Sequence, residues 1–559
     1  MVIIDHVLIW LFYLLAALPP LFSGSWDLWT LCLIHFLTLL LVFFFCWLRV
    51  RRHDRISLTY TASDPYFLVF LAICFLSYLF SPNRFNSRNE LFNQINYYLL
   101  FYLALNLLDS DFRRTGFRYL LYPISAFIGL LAVKQAWAHQ MAVGTLLNPN
   151  ILAGYIIAIV PLLLADLQAG EAGTGRERVI YAGKAGLLVL LLVVLALTHS
   201  FGGWLSLFLA LIFFLWLQDK YALTETSAGY RLATYAGLGV IGAALLYFAV
   251  MKMNEPGVLN RLDWWAGAWK IVKQYPILGV GLGNFDTLYL RYKTGELNSL
   301  YAHNHFLQLW CEVGLIGVVA LLGGIYQSLK GFMANLTGLP RSGKILTIGV
   351  ACSLTAMLLN SLVDYSLYIP AVAILFWILL GYGQSALPRR TITLKRNWGL
   401  LIAFSALMVW AGISFVNTFW ASQRYMAGTD YLHNGQLTLA EANLLESIKL
   451  DPLNAQTYAF LSEVYKQERQ PGTAVHYLQE AIKLNPNYGP FHHNLAWLYS
   501  QQGDPPGAIR EAQSAVACHP HKALYHYSLG IFYKENGLTQ PAQKEFQEAQ
   551  DLAQNVYNK

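Results

Sequence analysis

Charged side chains are scarce in this sequence. Only 12% of its 559 residues are Asp, Glu, Lys or Arg, whereas 56% are hydrophobic and 15% are aromatic. Because a soluble domain carries roughly 25% charged residues, this composition excludes an ordinary soluble enzyme and predicts a polytopic membrane protein. Cysteine is scarce too. The six cysteines include no C-x-x-C pair, so we expect neither a disulfide framework nor a zinc site.

Apolar runs that could cross a membrane recur along the first three quarters of the chain. Since a span takes about 20 apolar residues, the sequence predicts an all-α polytopic fold with about 12–13 spans. The candidate spans are 7–22, 27–48, 65–81, 91–109, 119–136, 151–168, 185–198, 204–217, 231–251, 304–327, 344–363, 369–387 and 398–421.

Lysine and arginine are distributed unevenly between the predicted loops. Alternate loops are rich in them, whereas the short loops on the other side hold Arg84 and Arg88. Because cytoplasmic loops carry the excess of basic residues, the N-terminus is expected inside the cell and residues 252–303 outside. The net charge of +7 reflects this bias and does not predict nucleic-acid binding.

One long polar segment, residues 252–303, interrupts the apolar pattern. Loops beyond about 15 residues are uncommon and usually functional, so we expect this segment to form an active site at the membrane surface. Gly279, Gly281 and Gly283 predict a tight re-entrant turn, because a dinucleotide-binding glycine loop would need a strand–turn–helix unit. The polar residues in and just after the segment include Arg261, Asp263, Lys270, Lys273, Arg291, Lys293, His303 and His305.

The last part of the chain repeats with a period of 34 residues. Asp451-Pro452, Asn485-Pro486 and His519-Pro520 recur at this spacing. The columns in the same register are Tyr431, Tyr465, Tyr499 and Tyr533; Ala440, Ala474, Ala508 and Ala542; and Ser447, Ala481, Ala515 and Ala549. This period, with small residues where two helices touch, predicts a tetratricopeptide solenoid. We expect a transmembrane domain over 1–421 and a repeat domain over 422–559 that binds a protein partner, or serves as a spacer or dimerisation element.

The predicted location limits the chemistry. ATP and nucleotide sugars are cytoplasmic, so an enzyme acting outside needs a donor carried by the membrane, such as a sugar on a polyprenyl diphosphate. Cations must then stabilise the departing diphosphate. Arginine suits that role because its guanidinium forks onto phosphate oxygens, and histidine suits the base that deprotonates an acceptor hydroxyl.

Three segments carry a resemblance to a known family. They are RLDWWAGAWKIVKQYPILGVGLGNF from Arg261, AHNHFLQLWCEVGLIG with His303, Glu312 and Gly314, and NSLVDYSLYIP with Asp364. Together with LLNPNILAGYI around Asn148, they resemble the O-antigen ligase and O-antigen polymerase superfamily of bacterial membrane glycosyltransferases. The likeness covers about residues 140 to 385.

The resemblance implies a reaction. It implies inverting transfer of a glycan from undecaprenyl diphosphate to a hydroxyl, without metal or cofactor, at the outer face of the bacterial cytoplasmic membrane. By position, Arg261 would contact the diphosphate and His303 would act as the base, with His305 as the alternative. One departure from the family pattern is Phe201, which stands where many members have arginine. Further substrate contacts could come from Arg84, Arg88, His199, Arg291, His305 and Asp364.

Several alternatives remain open at the level of sequence. Arg261 could instead begin an amphipathic interfacial helix with Trp264 and Trp269. The acceptor could be a lipid core, the growing glycan in a polymerase, or a protein side chain. From other classes, the chain could be a small-anion transporter, which would need ionisable residues at the bilayer midplane, or a non-catalytic scaffold in which the repeats do the work.

Overall fold

A computed structural model describes residues 2–25, 27–52, 55–170, 174–223, 227–293, 298–388, 390–395 and 398–557. The helices of the membrane part are α1 Val2–Leu21, α2 Leu28–Arg52, α3 Asp64–Leu79, α4 Arg84–Leu107, α5 Asp111–Trp137, α6 Pro149–Ala169, α7 Arg176–Leu197, α8 Phe201–Lys220, α9 Ala228–Met251, α10 Pro256–Gln274, α11 Phe285–Tyr292, α12 His305–Asn335, α13 Arg341–Asn360, α14 Pro370–Ser385 and α15 Trp398–His433. Short 3₁₀ turns lie at Ser23–Ser25, Leu336–Gly338 and Ser366–Tyr368.

Each of the predicted spans coincides with one of these helices. Seven helical stretches in the described residues are long and apolar enough to cross a membrane. They are Leu28–Val50, Asp111–Trp137, Pro149–Ala169, Arg176–Leu197, Phe201–Lys220, His305–Gly338 and Arg341–Asn360. Shorter apolar helices are His6–Leu21, Asp64–Leu79, Ala233–Phe248 and Pro370–Ser385. The prediction of a helical multi-pass membrane protein is confirmed, while the full count of spans stays a prediction.

A small sheet is the exception to the all-α prediction. Strand β1, Arg55–Tyr60, pairs antiparallel with β2, Arg390–Lys395. The register places Arg55 opposite Lys395 and Tyr60 opposite Arg390. Both strands follow helices whose ends are predicted to be cytoplasmic. The sheet therefore joins two distant loops on that side.

The centre of the membrane part is formed by helices that are apolar on every side. Nearly the whole of α6 and α14 is buried, as expected for helices without a polar face. Helix α6 packs against α13, α8 and α7, and α14 packs against α4. Small residues permit the close approaches: a Cβ on Gly349 would come within 2.3 Å of the Ala165 Cβ, and one on Gly381 within 2.4 Å of the Phe101 carbonyl oxygen.

Buried charge in this core is paired near the predicted cytoplasmic ends of the helices. Asp166 on α6 contacts the Arg118 Nε at 3.2 Å and the Lys184 Nζ at 2.9 Å. Burial of a charge is tolerated when a partner compensates it. Asp166 lies in the last turn of α6, whereas the transporter alternative would place its ionisable residues at the bilayer midplane.

The C-terminal repeats form a helical solenoid. Its helices are α16 Leu437–Leu450, α17 Ala455–Gln467, α18 Pro471–Leu484, α19 Gly489–Gln501, α20 Pro505–Cys518, α21 Ala523–Glu535 and α22 Thr539–Tyr557. The predicted alanine column lies where helices touch: Ala440 and Ala474 are fully buried, and Ala508 and Ala542 are at most 2% exposed. Helix α15 runs without interruption across the predicted domain boundary at residue 421.

Candidate active site

The predicted long loop contains two helices, and α10 is the first. Pro256 stands in the first turn, where its missing N–H leaves no intrahelical hydrogen bond unmade. One face, with Gly267, Ala268, Ile271 and Val272, packs against α12. The opposite face exposes large apolar side chains, including Leu259, Leu262 and Trp269. Such a helix suits the interface of a membrane. Arg261 can therefore belong to an interfacial helix and also have the predicted role in the active site.

The glycine turn after α10 inserts into a break in α12. Gly279, Gly281 and Gly283 all have positive φ angles, and so does Gly314 inside α12. The break frees two carbonyls of α12: Cys311 O accepts from Val280 N–H at 2.8 Å, and Glu312 O accepts from Gly281 N–H at 3.1 Å. The backbone hydrogen bonds lost at the break are thereby replaced. The predicted re-entrant turn is present, and α12 holds it.

Glu312 fixes this turn with its side chain. Its carboxylate accepts hydrogen bonds from the Gly283 N–H at 3.0 Å, the Tyr368 hydroxyl at 2.7 Å and the Gln308 amide at 3.0 Å. Gln308 in turn accepts from the Ala302 N–H at 3.0 Å. One buried carboxylate therefore connects the glycine turn, the segment before α12 and the turn before α14.

His303 lies at the end of that segment in a constrained conformation. Its φ of 49° is in the left-handed region, which non-glycine residues rarely adopt outside functional or tightly packed positions. The imidazole stacks on the Trp264 indole with centroids 4.4 Å apart and meets the Tyr365 ring edge-on at 4.8 Å. Trp264 follows Arg261 by three residues, so both side chains lie on one face of α10. This packing sets the position of the imidazole relative to Arg261.

Arg261 acts electrostatically on both His303 and Asp364. Burial and, to a smaller extent, the positive charge of Arg261 lower the pKa of His303 to about 4. Burial raises the pKa of Asp364 to about 6, with Arg261 and hydrogen bonding from residues 365 and 366 opposing the rise. At neutral pH the imidazole is therefore neutral and the carboxylate mostly ionised. The effect of Arg261 on the pKa of His303 is consistent with the prediction that a cation and an imidazole meet in this region.

Several polar atoms of these residues are buried without a full hydrogen bond. Within the described residues, no well-formed partner exists for Arg261 Nε, His303 Nδ1 or the Asp364 carboxylate oxygens. Buried polar groups are nearly always hydrogen-bonded, and exceptions concentrate where a site has a task other than stability. A cation, a neutral imidazole and a carboxylate so arranged can bind an anion and accept a proton.

The sequence reasoning did not single out the aromatic and amide residues around His303. The Tyr365 hydroxyl accepts from the Asn148 amide at 2.7 Å, and its ring stacks on Tyr301 at 4.2 Å with planes 2° apart. Asn148 also caps α6 by accepting from the Ile151 N–H. A signal existed, because Asn148 and Tyr365 both fall within the segments that carry the family resemblance.

His305 occupies a different environment from His303. It is the first residue of α12, its N–H donates to Ser361 O at 2.8 Å, and its ring meets Tyr368 at 5.0 Å. The side chain is 8% exposed, and its Nδ1 lacks a partner among the described residues. Of the two histidines, His303 is the one whose ring is coupled to Arg261.

Two of the predicted substrate-contact residues, Arg88 and Arg291, bond to the repeat domain. Arg88 on α4 forms two hydrogen bonds to the Asp451 carboxylate, at 2.8 and 2.6 Å. Arg291 on α11 donates to Ala517 O at 3.1 Å and to the Asn487 side chain at 3.4 Å. The turns between successive repeats thus lie against α4 and α11.

The remaining predicted contacts are exposed. Arg84 begins α4 and makes a long hydrogen bond of 3.4 Å to Leu79 O. His199 lies in the turn between α7 and α8 with a positive φ of 51°. That turn adjoins the end of α13, since a Cβ on Gly202 would meet the Val363 side chain at 3.0 Å. Their predicted role, like that of Arg88, Arg291, His305 and Asp364, stays a prediction. Among the described residues, no three His, Cys, Asp or Glu side chains are grouped to hold a metal ion.

Two protein families match parts of this chain. Residues 186–322 match the O-antigen ligase family, and residues 466–530 match the tetratricopeptide repeat family. Both resemblances expected from the sequence are confirmed. The first match includes Arg261 and His303, and it supports glycan transfer of the O-antigen ligase type in general. No curated protein matches the chain.

Solved structures resemble about a quarter of the chain. One crystal structure of MamA is 24% identical and covers 25% of this chain and 81% of its own, with a TM-score of 0.24. MamA from Desulfovibrio magneticus is 17% identical over 26% and 85%, with a TM-score of 0.23. YrrB, a tetratricopeptide protein with an unusual peptide-binding site, is 21% identical over 28% and 77%, with a TM-score of 0.22. Similarities this low carry no information on function.

Proposed function

We propose that this protein transfers a glycan from an undecaprenyl-diphosphate carrier to an acceptor hydroxyl at the outer face of the bacterial cytoplasmic membrane. The observation that carries the proposal is the grouping of half-buried Arg261 and His303 with buried Asp364 next to the interfacial face of α10. The O-antigen ligase match over these helices supports the same class of reaction. The charge asymmetry of the loops supports the outward orientation.

The reaction is a direct displacement at the anomeric carbon. The acceptor oxygen forms a bond to that carbon while the bond to the diphosphate oxygen breaks, and the configuration inverts. The electron pair of the broken bond stays on the diphosphate, where the Arg261 guanidinium stabilises the added charge. The acceptor proton passes to a ring nitrogen of His303, which is neutral at pH 7 because burial depresses its pKa. Asp364 orients Arg261 and balances its charge before the donor arrives.

The acceptor decides between ligase, polymerase and protein glycosylation. The repeat domain lies against α4 and α11, close to the segment that carries His303. This placement favours a protein partner near the site, either an assembly component or the acceptor itself.

Lipid-linked glycans in a deletion strain test the proposal. A ligase predicts accumulation of long chains on the lipid carrier, and a polymerase predicts accumulation of single repeat units. The strain is then complemented with the wild type, Arg261→Ala, His303→Ala or Arg178→Ala. Arg178 is the control, because it is exposed and lies at the start of α7, at the other end of that helix from His199. The first two variants should fail to restore transfer, and Arg178→Ala should restore it. Restoration by both site variants, with failure on deletion of 422–559, would establish the scaffold alternative instead.

A further inference from the structure

A cavity of about 390 Å³ lies next to the candidate active site. It is lined by the N-terminal parts of α2, α4, α11, α12 and α14, together with Gly283, Leu300, Tyr301 and Tyr368. Three carboxylates line it, from Glu90, Asp286 and Glu312, and no lysine or arginine lies among its lining residues. A lining with acidic side chains and no cation offers a diphosphate nothing to offset its charge, so this cavity is not the place for the phosphate groups of the donor.

The acidic side chains supply hydrogen-bond acceptors to the lining, beside the amides of Asn86, Asn89, Asn93 and Gln308. The Glu90 carboxylate accepts from the amides of Asn93 at 2.9 Å and Gln94 at 2.7 Å. Asn93 lines the cavity and is 6% exposed. Asp286 accepts from the Thr287 N–H at 2.7 Å. A ligand that offers several O–H or N–H donors would satisfy this lining.

Aromatic rings complete the cavity and connect it to His303. Tyr301 and Tyr368 line it, with ring centroids 5.7 Å apart. Tyr301 also stacks on Tyr365, which meets His303 edge-on. The stacked rings of Tyr301 and Tyr365 therefore separate the cavity from the site where the displacement is proposed to occur.

We propose that this cavity binds an uncharged or amino sugar residue of the glycan. Sugar hydroxyls are dense O–H donors that match carboxylate and amide acceptors, and the C–H face of a sugar ring packs on tyrosine. The volume lies within the range of small-molecule sites, about 300–1,000 Å³. This inference rests on the proposed function and assigns the sugar-recognising part of the same site.

Two measurements on the full-length protein in lipid nanodiscs test it. The probe for binding is the oligosaccharide released by mild acid from the lipid-linked pool of the deletion strain, detected by saturation-transfer NMR. The probe for catalysis is that lipid-linked pool itself. The variants are Glu90→Gln and Asn93→Leu in the cavity, Arg261→Ala in the candidate active site, and Glu177→Gln as an exposed control at the other end of the membrane part.

The expected pattern separates the two sites. Each cavity variant should weaken oligosaccharide binding and raise the KM for the donor at least about tenfold, the effect of losing one good hydrogen bond, with kcat changed much less. Arg261→Ala should abolish transfer yet bind the free oligosaccharide like the wild type, and Glu177→Gln should match the wild type in both. Binding without any transfer by the wild type would preserve this inference and refute the proposed function. Transfer with unchanged KM and binding in both cavity variants, or binding that requires added Ca²⁺, would overturn the inference.

Discussion

The Arg88 guanidinium forms a bidentate pair with the Asp451 carboxylate, joining the start of α4 to the first inter-repeat turn. Both contacts are short, 2.8 and 2.6 Å, and the two side chains are only 13% and 3% exposed. Forked arginine–carboxylate pairs are geometrically specific, and removal of one partner from a buried pair costs about 3–5 kcal/mol. The pair therefore fixes the repeat domain on the membrane part.

The pair between Arg88 and Asp451 predicts that substitution of either residue will have the same effect on the docking of the repeat domain. If Arg88 serves docking, Arg88→Ala and Asp451→Ala should increase hydrogen exchange in α11 and in the 451–454 turn equally, and the exchanged pair Arg88→Asp/Asp451→Arg should recover part of the loss. Lys466→Ala, which removes an exposed pair with Glu463, is the control and should change nothing. If Arg88 instead binds phosphate, Arg88→Ala alone will impair transfer and Asp451→Ala will not.

His303 predicts the pH dependence of transfer. Its pKa of about 4, below the ordinary value of 6.5, keeps the imidazole neutral and able to accept a proton at all pH values above about 5. We therefore expect protonation of His303 to lower kcat/KM only below about pH 5, apart from a partial decrease near pH 6 as Asp364 becomes protonated. In Asp364→Asn, kcat/KM should stay level from pH 7 to about pH 5 and fall below that. Bound diphosphate brings negative charge towards the imidazole and raises its pKa, so the acid limb of kcat should lie at higher pH than that of kcat/KM.

The lowered pKa of His303 also makes the stability of the folded protein depend on pH, and the pH profile of kcat/KM must be corrected for this. A histidine whose folded pKa lies below its unfolded pKa contributes stability above pH 6.5 that is lost as pH falls towards 4. Thermal unfolding across this range gives the correction. An acid limb of kcat/KM near pH 6.5 in Asp364→Asn, after correction, would exclude His303 as the base.

Asp364 predicts opposite effects on stability and activity. Its folded pKa of about 6 exceeds the ordinary 3.8 because the ionised carboxylate is buried. At pH 7 the charge therefore destabilises the folded protein, by an amount on the order of 3 kcal/mol at about 1.4 kcal/mol per pKa unit. Asp364→Asn should raise the unfolding temperature at pH 7 and lower kcat/KM, because Arg261 loses its counter-charge. The exposed Asp430→Asn should change neither quantity, and a lower unfolding temperature for Asp364→Asn would mean that the carboxylate is structural.

Local patterns in the sequence predicted those parts of the fold that depend on neighbouring residues. Each long apolar run coincides with a helix, since a membrane span needs only composition and length. The alanine column of the repeats is buried as the 34-residue period requires, with Ala440 and Ala474 fully enclosed. Both results follow from periodicities that are visible in a single segment of chain.

Contacts between distant segments could not be predicted in this way. Arg88 is predicted to contact substrate because it is an arginine in a predicted outer loop, and nothing in that loop indicates Asp451 as a partner. The cavity around Glu90 and Asp286 draws its walls from five helices, so no short motif encodes it. The stacking of His303 on Trp264 depends on the orientation of α10, which is set by its packing against α12. The sequence suggested the residue types of the site, and tertiary packing selects which of them meet.

Gly314 predicts the importance of the break in α12. Its φ is 72°, and a Cβ there would lie 1.9 Å from the Ile277 carbonyl oxygen. Gly314→Ala must therefore expel the glycine turn or distort α12, in addition to a backbone penalty of about 1–3 kcal/mol for alanine in a region of φ and ψ that is essentially restricted to glycine. We expect strongly reduced yield of folded protein and loss of transfer, measured by size-exclusion profile, thermal unfolding and the lipid-linked glycan assay.

Gly186→Ala is the matched control, because a Cβ there meets nothing within 4 Å. Gly186 lies in the interior of α7, where alanine stabilises a helix by roughly 0.5–1 kcal/mol over glycine. Should Gly314→Ala fold and transfer like Gly186→Ala, the glycine turn is not what positions Glu312 and His303, and the geometry of the candidate site would need another source.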